Sequence, residues 1–154
     1  MAEHLLQREQ TIERPRELVF EFFSNAGNLE KITPPEVGFN IVTPQPIDVR
    51  QGTLIDYTLG LRGIPVTWRT EINVWEPPFR FEDRQLRGPY AQWIHTHLFE
   101  EDGPNKTVMF DEVRYRLPLE PLGDLFHFLV ERELKHIFDF RQAAITEIFK
   151  SQAQ

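Results

Sequence analysis

The sequence predicts an α+β domain: a curved antiparallel sheet of six to seven strands wrapped around one long C-terminal helix, with two short helices after the first strand. Three observations carry this. Between residues 39 and 117 apolar residues recur with period two, as half-buried antiparallel strands require. From residue 124 the period lengthens to about 3.6 residues. Between the periodic segments lie turn-formers: Pro34-Pro35, Gly60 with Gly63 and Pro65, Pro77-Pro78, Gly88-Pro89, and Asp102-Gly103-Pro104-Asn105. Short turns make successive strands neighbours, and segregated helices beside an antiparallel sheet give an α+β layer fold.

Residues 4–13 alternate, with Leu6, Arg8, Gln10 and Ile12 on one side and Leu5, Gln7, Glu9 and Thr11 on the other, and form the first strand. Pro15 suits a first helical turn, and Leu18, Val19, Phe22 and Phe23 follow at helical spacing. Asn25 and Gly27 break that helix, a second covers 28–32, and Pro34-Pro35 ends it. Phe39, Ile41 and Thr43 form a short alternating set. Residues 53–61 place Ile55, Tyr57, Leu59 and Leu61 on one side. Residues 66–75 place Val66, Trp68, Thr70, Ile72 and Val74 on one face and Thr67, Arg69, Glu71 and Asn73 on the other. Residues 79–87 form a strand in which Asp83 and Gln85 share the inward parity of Phe79 and Phe81. Residues 91–100 and 106–117 are two more strands. Asp124 is positioned to cap the last helix. Its apolar stripe runs through Leu125, Leu129, Leu134, Ile137, Phe138, Ile145, Ile148 and Phe149, with Arg141 at the edge.

The 154 residues suit one domain, 1–154. Apolar residues make up 40% and charged residues 27%, a balance that folds. A formal net charge of −7 argues against nucleic acid as partner. The absence of cysteine excludes disulfides, thiolate catalysis and cysteine-based zinc sites. Residues 1–10 are polar, without the apolar core of a signal peptide. No run approaches the roughly 20 apolar residues of a membrane span. The expectation is therefore a cytoplasmic protein, not inserted in a membrane, as monomer or homodimer. Thirteen phenylalanines suit either a dense core or the wall of a cavity for an apolar ligand.

Three segments carry a resemblance. The first is Ile12-Glu13-Arg14-Pro15-Arg16-Glu17-Leu18-Val19-Phe20, a polar strand running into a Pro-x-x-x-Val-Phe helix. The second is Gly88-Pro89-Tyr90-Ala91-Gln92-Trp93-Ile94-His95-Thr96-His97-Leu98-Phe99-Glu100, a Gly-Pro-aromatic turn and a Trp-x-His-x-His-x-Phe strand. The third is Leu117-Pro118-Leu119-Glu120-Pro121-Leu122-Gly123 with Ile137-Phe138-Asp139-Phe140-Arg141, a Leu-Pro hinge and closing helix. With the element order they make the chain resemble the START/Bet v 1-like (SRPBCC) superfamily, and within it the bacterial polyketide cyclase/dehydrase-like ligand-binding proteins. The resemblance implies a helix-grip fold with a ligand space between sheet and helix. It does not choose among lipid carriers, hormone receptors, aromatase/cyclases, oxygenase subunits and chaperone-activating domains.

Trp93, His95, His97 and Phe99 share one parity and are expected to face the helix. In the next strand Met109, Asp111, Val113, Tyr115 and Leu117 share the inward face, since the other carries Glu112, Arg114 and Arg116. Symmetric hairpin pairing puts His95 opposite or diagonal to Asp111. Three readings stand: a general acid/base pair, a structural pair that satisfies itself in the core, or a polar spot that orients a ligand. The expected cavity wall comprises Tyr57, Trp68, Phe81, Asp83, Trp93, His95, His97, Phe99, Met109, Asp111, Val113, Tyr115, Phe138 and Arg141. Arg141 could reach a ligand's anionic group, or pair with an acid.

No metal site is expected. His95 and His97 share a face, but Asp111 is the only obvious further ligand, and His127 and His136 lie on opposite faces of the helix. No cofactor is expected, because phosphate loop, nucleophile elbow and His-Glu-x-x-His motifs are absent. The preferred function is binding of a small hydrophobic or amphipathic molecule, whether lipid, aromatic or polyketide-like. The alternatives are a cyclase/dehydratase using His95 and Asp111 as acid and base, and a protein-interaction module.

Overall fold

The computed structural model describes residues 2–61, 63–119 and 121–151, with the side chains of Leu61 and Ser151 excepted. Glu120 of the predicted hinge and the face predicted for Leu61 therefore lie outside the described residues. Strand β1 (His4–Ile12) is followed by helix α1 (Arg16–Ser24) and two 3-10 turns, Ala26–Ile32 and Pro35–Val37. Strands β2 (Asn40–Ile41), β3 (Leu54–Leu61), β4 (Ile64–Glu76), β5 (Arg80–Arg87), β6 (Gln92–Glu101) and β7 (Thr107–Arg116) come next, then helices α2 (Leu122–Leu125) and α3 (His127–Ser151). The seven strands form one antiparallel sheet in the order β1-β7-β6-β5-β4-β3-β2. This is the helix-grip α+β fold. No described helix is long and apolar enough to cross a membrane.

Local chemistry sets these elements. The Pro15 carbonyl accepts from the Leu18 and Val19 amides and starts α1. Asn25 ends it, its Oδ1 accepting from the Gly27 amide at 3.0 Å to start the next turn. Burial in β7 alternates without a break, Thr107, Met109, Asp111, Val113 and Tyr115 facing in. Helix α3 buries Leu134, Phe138, Arg141, Ile145 and Phe149, the steps of three and four that make one helical stripe.

The core lies in two parts. One joins Val19 and Phe20 of α1 to Phe81, Phe99, Met109, Ile145 and Phe149. The Phe20 ring sits 5.1–5.7 Å from those of Trp75, Phe81 and Phe99. The other joins Val113, Tyr115 and Leu117 to Leu134 and Phe138. The buried polar residues His95, His97, Asp111 and Arg141 belong to neither cluster.

Several expectations are corrected. A bulge between Ile72 and Val74 makes Val74 pair with Glu82 and Trp75 with Phe81. The extra residue reverses the side-chain parity, so Trp75, not Val74, packs on Phe20 and Phe81. Phe79 precedes β5 and is exposed; the Arg16 guanidinium covers its ring at 4.6 Å. Asp124 does not cap the long helix. It lies within α2, and its carboxylate accepts from His4 Nε2 at 3.0 Å. The helix is interrupted at Phe126, so Leu125 is exposed instead of leading the apolar stripe. The second short helix begins at Ala26 and is 3-10 in form. The alternating set at 39–43 supplies only a two-residue strand.

The hinge before α3 is tightly built. Leu119 has a φ of 60° and its carbonyl accepts from the Gly123 amide. A Cβ on Gly123 would land on the Pro118 carbonyl oxygen, which is backbone and cannot turn aside. Gly123→Ala is therefore expected to cost about 1–3 kcal/mol, read as a lowered midpoint in thermal unfolding followed by circular dichroism. An unchanged midpoint would show that the hinge relaxes freely.

Candidate functional site

The register of three strands assembles a polar cluster on the sheet's inner face. His95 pairs with Val113, and His97 with Asp111, across β6 and β7. On the other side His95 pairs with Asp83, and His97 with Phe81, across β5 and β6. The hydrogen bonds run diagonally. His95 Nε2 lies 2.7 Å from Asp111 Oδ1, and His97 Nε2 lies 2.8 Å from Asp83 Oδ2. Each imidazole thus donates to a carboxylate, which sets its tautomer when neutral. The rings stack face to face, with centroids 3.7 Å apart. Phe81 covers the other side of His97 at 4.1 Å.

Arg141 enters this cluster from α3. Its Nη2 is 3.6 Å from Asp111 Oδ1, and His97 Nδ1 is 3.3 Å from the same oxygen. Arg141, expected at the edge of the helix stripe, is buried with it and is 7% exposed. Its guanidinium lies 5.4 Å from the Phe23 ring centroid and 5.7 Å from that of Phe138. Arg141 Nε and Trp68 Nε1 are buried without a hydrogen-bond partner.

Charge in the cluster follows from burial set against partners. Burial raises the Asp111 carboxyl, but the Arg141 charge and hydrogen bonds from both histidines outweigh it and hold the pKa well below the usual range. Burial also raises Asp83, and the hydrogen bond from His97 with the neighbouring positive charges brings it below its ordinary value. Burial opposes protonation of His97, yet hydrogen bonds to Asp111 and Asp83 carry its pKa upward. Burial and the charge of His97 together lower that of His95, despite Asp111. Near pH 6.5 the cluster therefore holds two carboxylates, one guanidinium, a His97 that is mostly imidazolium and a His95 that is mostly neutral.

The stability linkages of the two histidines oppose each other. The raised pKa of His97 gives stability that is full below its ordinary value of 6.5 and is lost as pH rises through the folded value. The lowered pKa of His95 gives stability present above 6.5 and lost as pH falls through its folded value. Nitrogen-detected NMR near pH 6.5 is expected to show His97 as imidazolium and His95 as the Nε2–H tautomer. The reverse pattern would overturn this charge assignment.

Asp83, His95 and His97 also place one potential metal-ligand atom each within 4.8 Å of one another. The expected extra ligand, Asp111, is not in this set. Two stacked rings direct their lone pairs side by side, however, and convergence on one ion at about 2.0–2.1 Å requires rings that splay. The nitrogens facing the carboxylates are already engaged. The arrangement suits a hydrogen-bonded charge network better than a metal centre.

Space remains between sheet and α3. One cavity holds about 670 Å³ of atom-free space including its mouth, and a second about 840 Å³. Tyr57, Asp83, His97 and Arg141 line both; Phe81 lines the first, and Trp68, Trp93, His95 and Phe138 the second. The other expected wall residues are elsewhere. Phe99, Met109, Val113 and Tyr115 are packed into the two core clusters. Asp111 lies behind the histidines, reached through a small crevice beside Arg8, Gln10 and Gln142. Unforeseen wall residues are Leu29, Ile32 and Phe39, together with Ile55 and Ile72. The last two share parity with Tyr57 and Trp68, a signal present in the sequence.

No protein-family model and no curated protein matches the sequence. Solved structures match over nearly the whole chain at low identity. An aromatase/cyclase from Streptomyces sp. R1128 superposes with a TM-score of 0.79 at 14% identity, covering 99% of this chain and 97% of that one. A START superfamily protein from Mycobacterium smegmatis gives 0.70 at 13%, covering 94% and 99%. A norcoclaurine synthase point mutant from Thalictrum, in complex with a transition-state analogue, gives 0.72 at 12%, covering 99% and 98%. At such identities the likeness concerns the fold, and it agrees with the START/Bet v 1-like architecture.

Proposed function

We propose that this helix-grip protein binds a small, largely apolar molecule in the space between its sheet and α3. The observation that carries the reading is that this space is not filled by side chains. Two cavities walled by Phe, Ile, Leu, Tyr and Trp remain there, with a polar cluster in the wall. Ligand sites are commonly apolar concavities with a few placed polar groups, and buried donors without acceptors are rare unless a ligand or water completes them. The structural likeness to an aromatase/cyclase and to a synthase in complex with a transition-state analogue supports a small-molecule ligand. Native mass spectrometry of the purified protein tests it. A bound species that leaves on denaturation is expected; absence of any such species, together with failure to bind added apolar aromatics, would remove the proposal.

A second reading rests on the cluster itself. His95, neutral and hydrogen-bonded to Asp111, lines the second cavity and is placed to take a proton from a ligand, as a base oriented by a carboxylate does. His95→Phe or His95→Gln is then expected to abolish conversion of a bound ligand without abolishing its binding. Unchanged turnover in either variant would reject this role.

A further inference from the structure

We infer that the ligand carries its hydrogen-bonding group near its middle, as a neutral acceptor such as a ketone or ester oxygen, flanked by two apolar arms. This rests on the reading that the cavity holds a small apolar molecule, and it narrows the class of that molecule. The two cavities adjoin: Leu29, Ile32, Phe39, Tyr57, Asp83, His97 and Arg141 line both. Beyond that shared wall the first runs past Phe22, Phe23, Ile55 and Ile72, and the second past Leu59, Trp93, Leu134 and Ile137. The buried polar side chains thus sit at the junction and not at a closed end. A fatty acid, polar at one terminus, cannot fill both arms and also satisfy the junction.

The junction also states which polarity it accepts. Arg141 Nε is a buried donor without an acceptor, in a side chain that lines both cavities. It calls for an oxygen lone pair. Yet the positive charges of Arg141 and His97 are already matched by Asp83 and Asp111 within hydrogen-bonding or ion-pair distance. A carboxylate added there would leave a net negative charge in a low-dielectric site, a costly state. A carbonyl oxygen takes the hydrogen bond without disturbing that balance, and a bond to a charged donor is worth more than a neutral one.

Calorimetric titration of the wild-type protein with three probes tests this: dibenzyl ketone, the hydrocarbon in which a methylene replaces its carbonyl, and a straight-chain fatty acid of equal carbon number. The ketone is expected to bind about tenfold tighter than either of the others. In Arg141→Met the ketone's advantage over the hydrocarbon is expected to vanish. The wild-type comparison stands even if that variant folds poorly. Ketone and hydrocarbon binding alike, or the fatty acid binding best, overturns the inference while leaving an apolar pocket in place. If none of the three binds, the pocket reading falls and the inference with it.

Discussion

Asp111→Ala is expected to lower the free energy of unfolding by about 3–5 kcal/mol, the usual cost of removing one member of a buried ion pair. The carboxylate accepts from His95 at 2.7 Å and faces His97 Nδ1 at 3.3 Å and Arg141 Nη2 at 3.6 Å. Deleting it leaves a guanidinium and an imidazolium buried with only Asp83 to balance them. Part of the cost is recovered if His97 gives up its proton, so its pKa is expected to fall in the variant. Asp111→Asn keeps the shape and one acceptor oxygen but not the charge. It is expected to destabilise less than alanine while lowering the His97 pKa in the same direction. Urea unfolding gives the stabilities and NMR titration the pKa. A loss below about 1 kcal/mol for alanine would place the pair among surface-like contacts and refute the charge network.

Part of this site is legible in particular residues. The parity of Trp93, His95, His97 and Phe99 follows from alternation alone, and turn residues 102–105 bring the next strand back. His95 and Asp111 therefore meet diagonally as expected. Asp83 was legible as inward-facing, but its bond to His97 was not. That bond depends on the β5–β6 register, and nothing in the local pattern states where a strand begins. The bulge at Asn73 is the same kind of problem: the flanking residues alternate on either side of it, and only the sheet shows that one residue is extra. Asp124 looked like a helix cap because an acid before an apolar run ordinarily is one; here the hydrogen bond from His4 of β1 claims it. Among the described residues of α3, Arg141 is the one charged side chain that is buried, alongside Leu134, Phe138, Ile145 and Phe149. A charge at a core position that breaks the local rule is itself a pointer to a site.

That position makes Arg141→Met the most informative stability variant. Methionine fills similar volume without charge, so its effect reports the electrostatics of the cluster more than its packing. Above neutral pH the variant is expected to lose about 3–5 kcal/mol, because two buried carboxylates are then left without the guanidinium. The deficit can be repaired by one extra proton, taken by His95 or by a carboxyl. For His95 this means a folded pKa raised above its ordinary value instead of lowered. Its contribution is then full below 6.5 and lost as pH rises through the raised value, the opposite of its behaviour beside Arg141. The penalty of the substitution is accordingly expected to shrink on acidification, by about 1.4 kcal/mol per pH unit where the extra proton is bound. Urea unfolding of both proteins across the range from mildly acidic to mildly alkaline measures it. A penalty independent of pH would mean that Arg141 contributes through its stem and its contacts with Phe23 and Phe138, and that the charge of Asp111 is balanced without it.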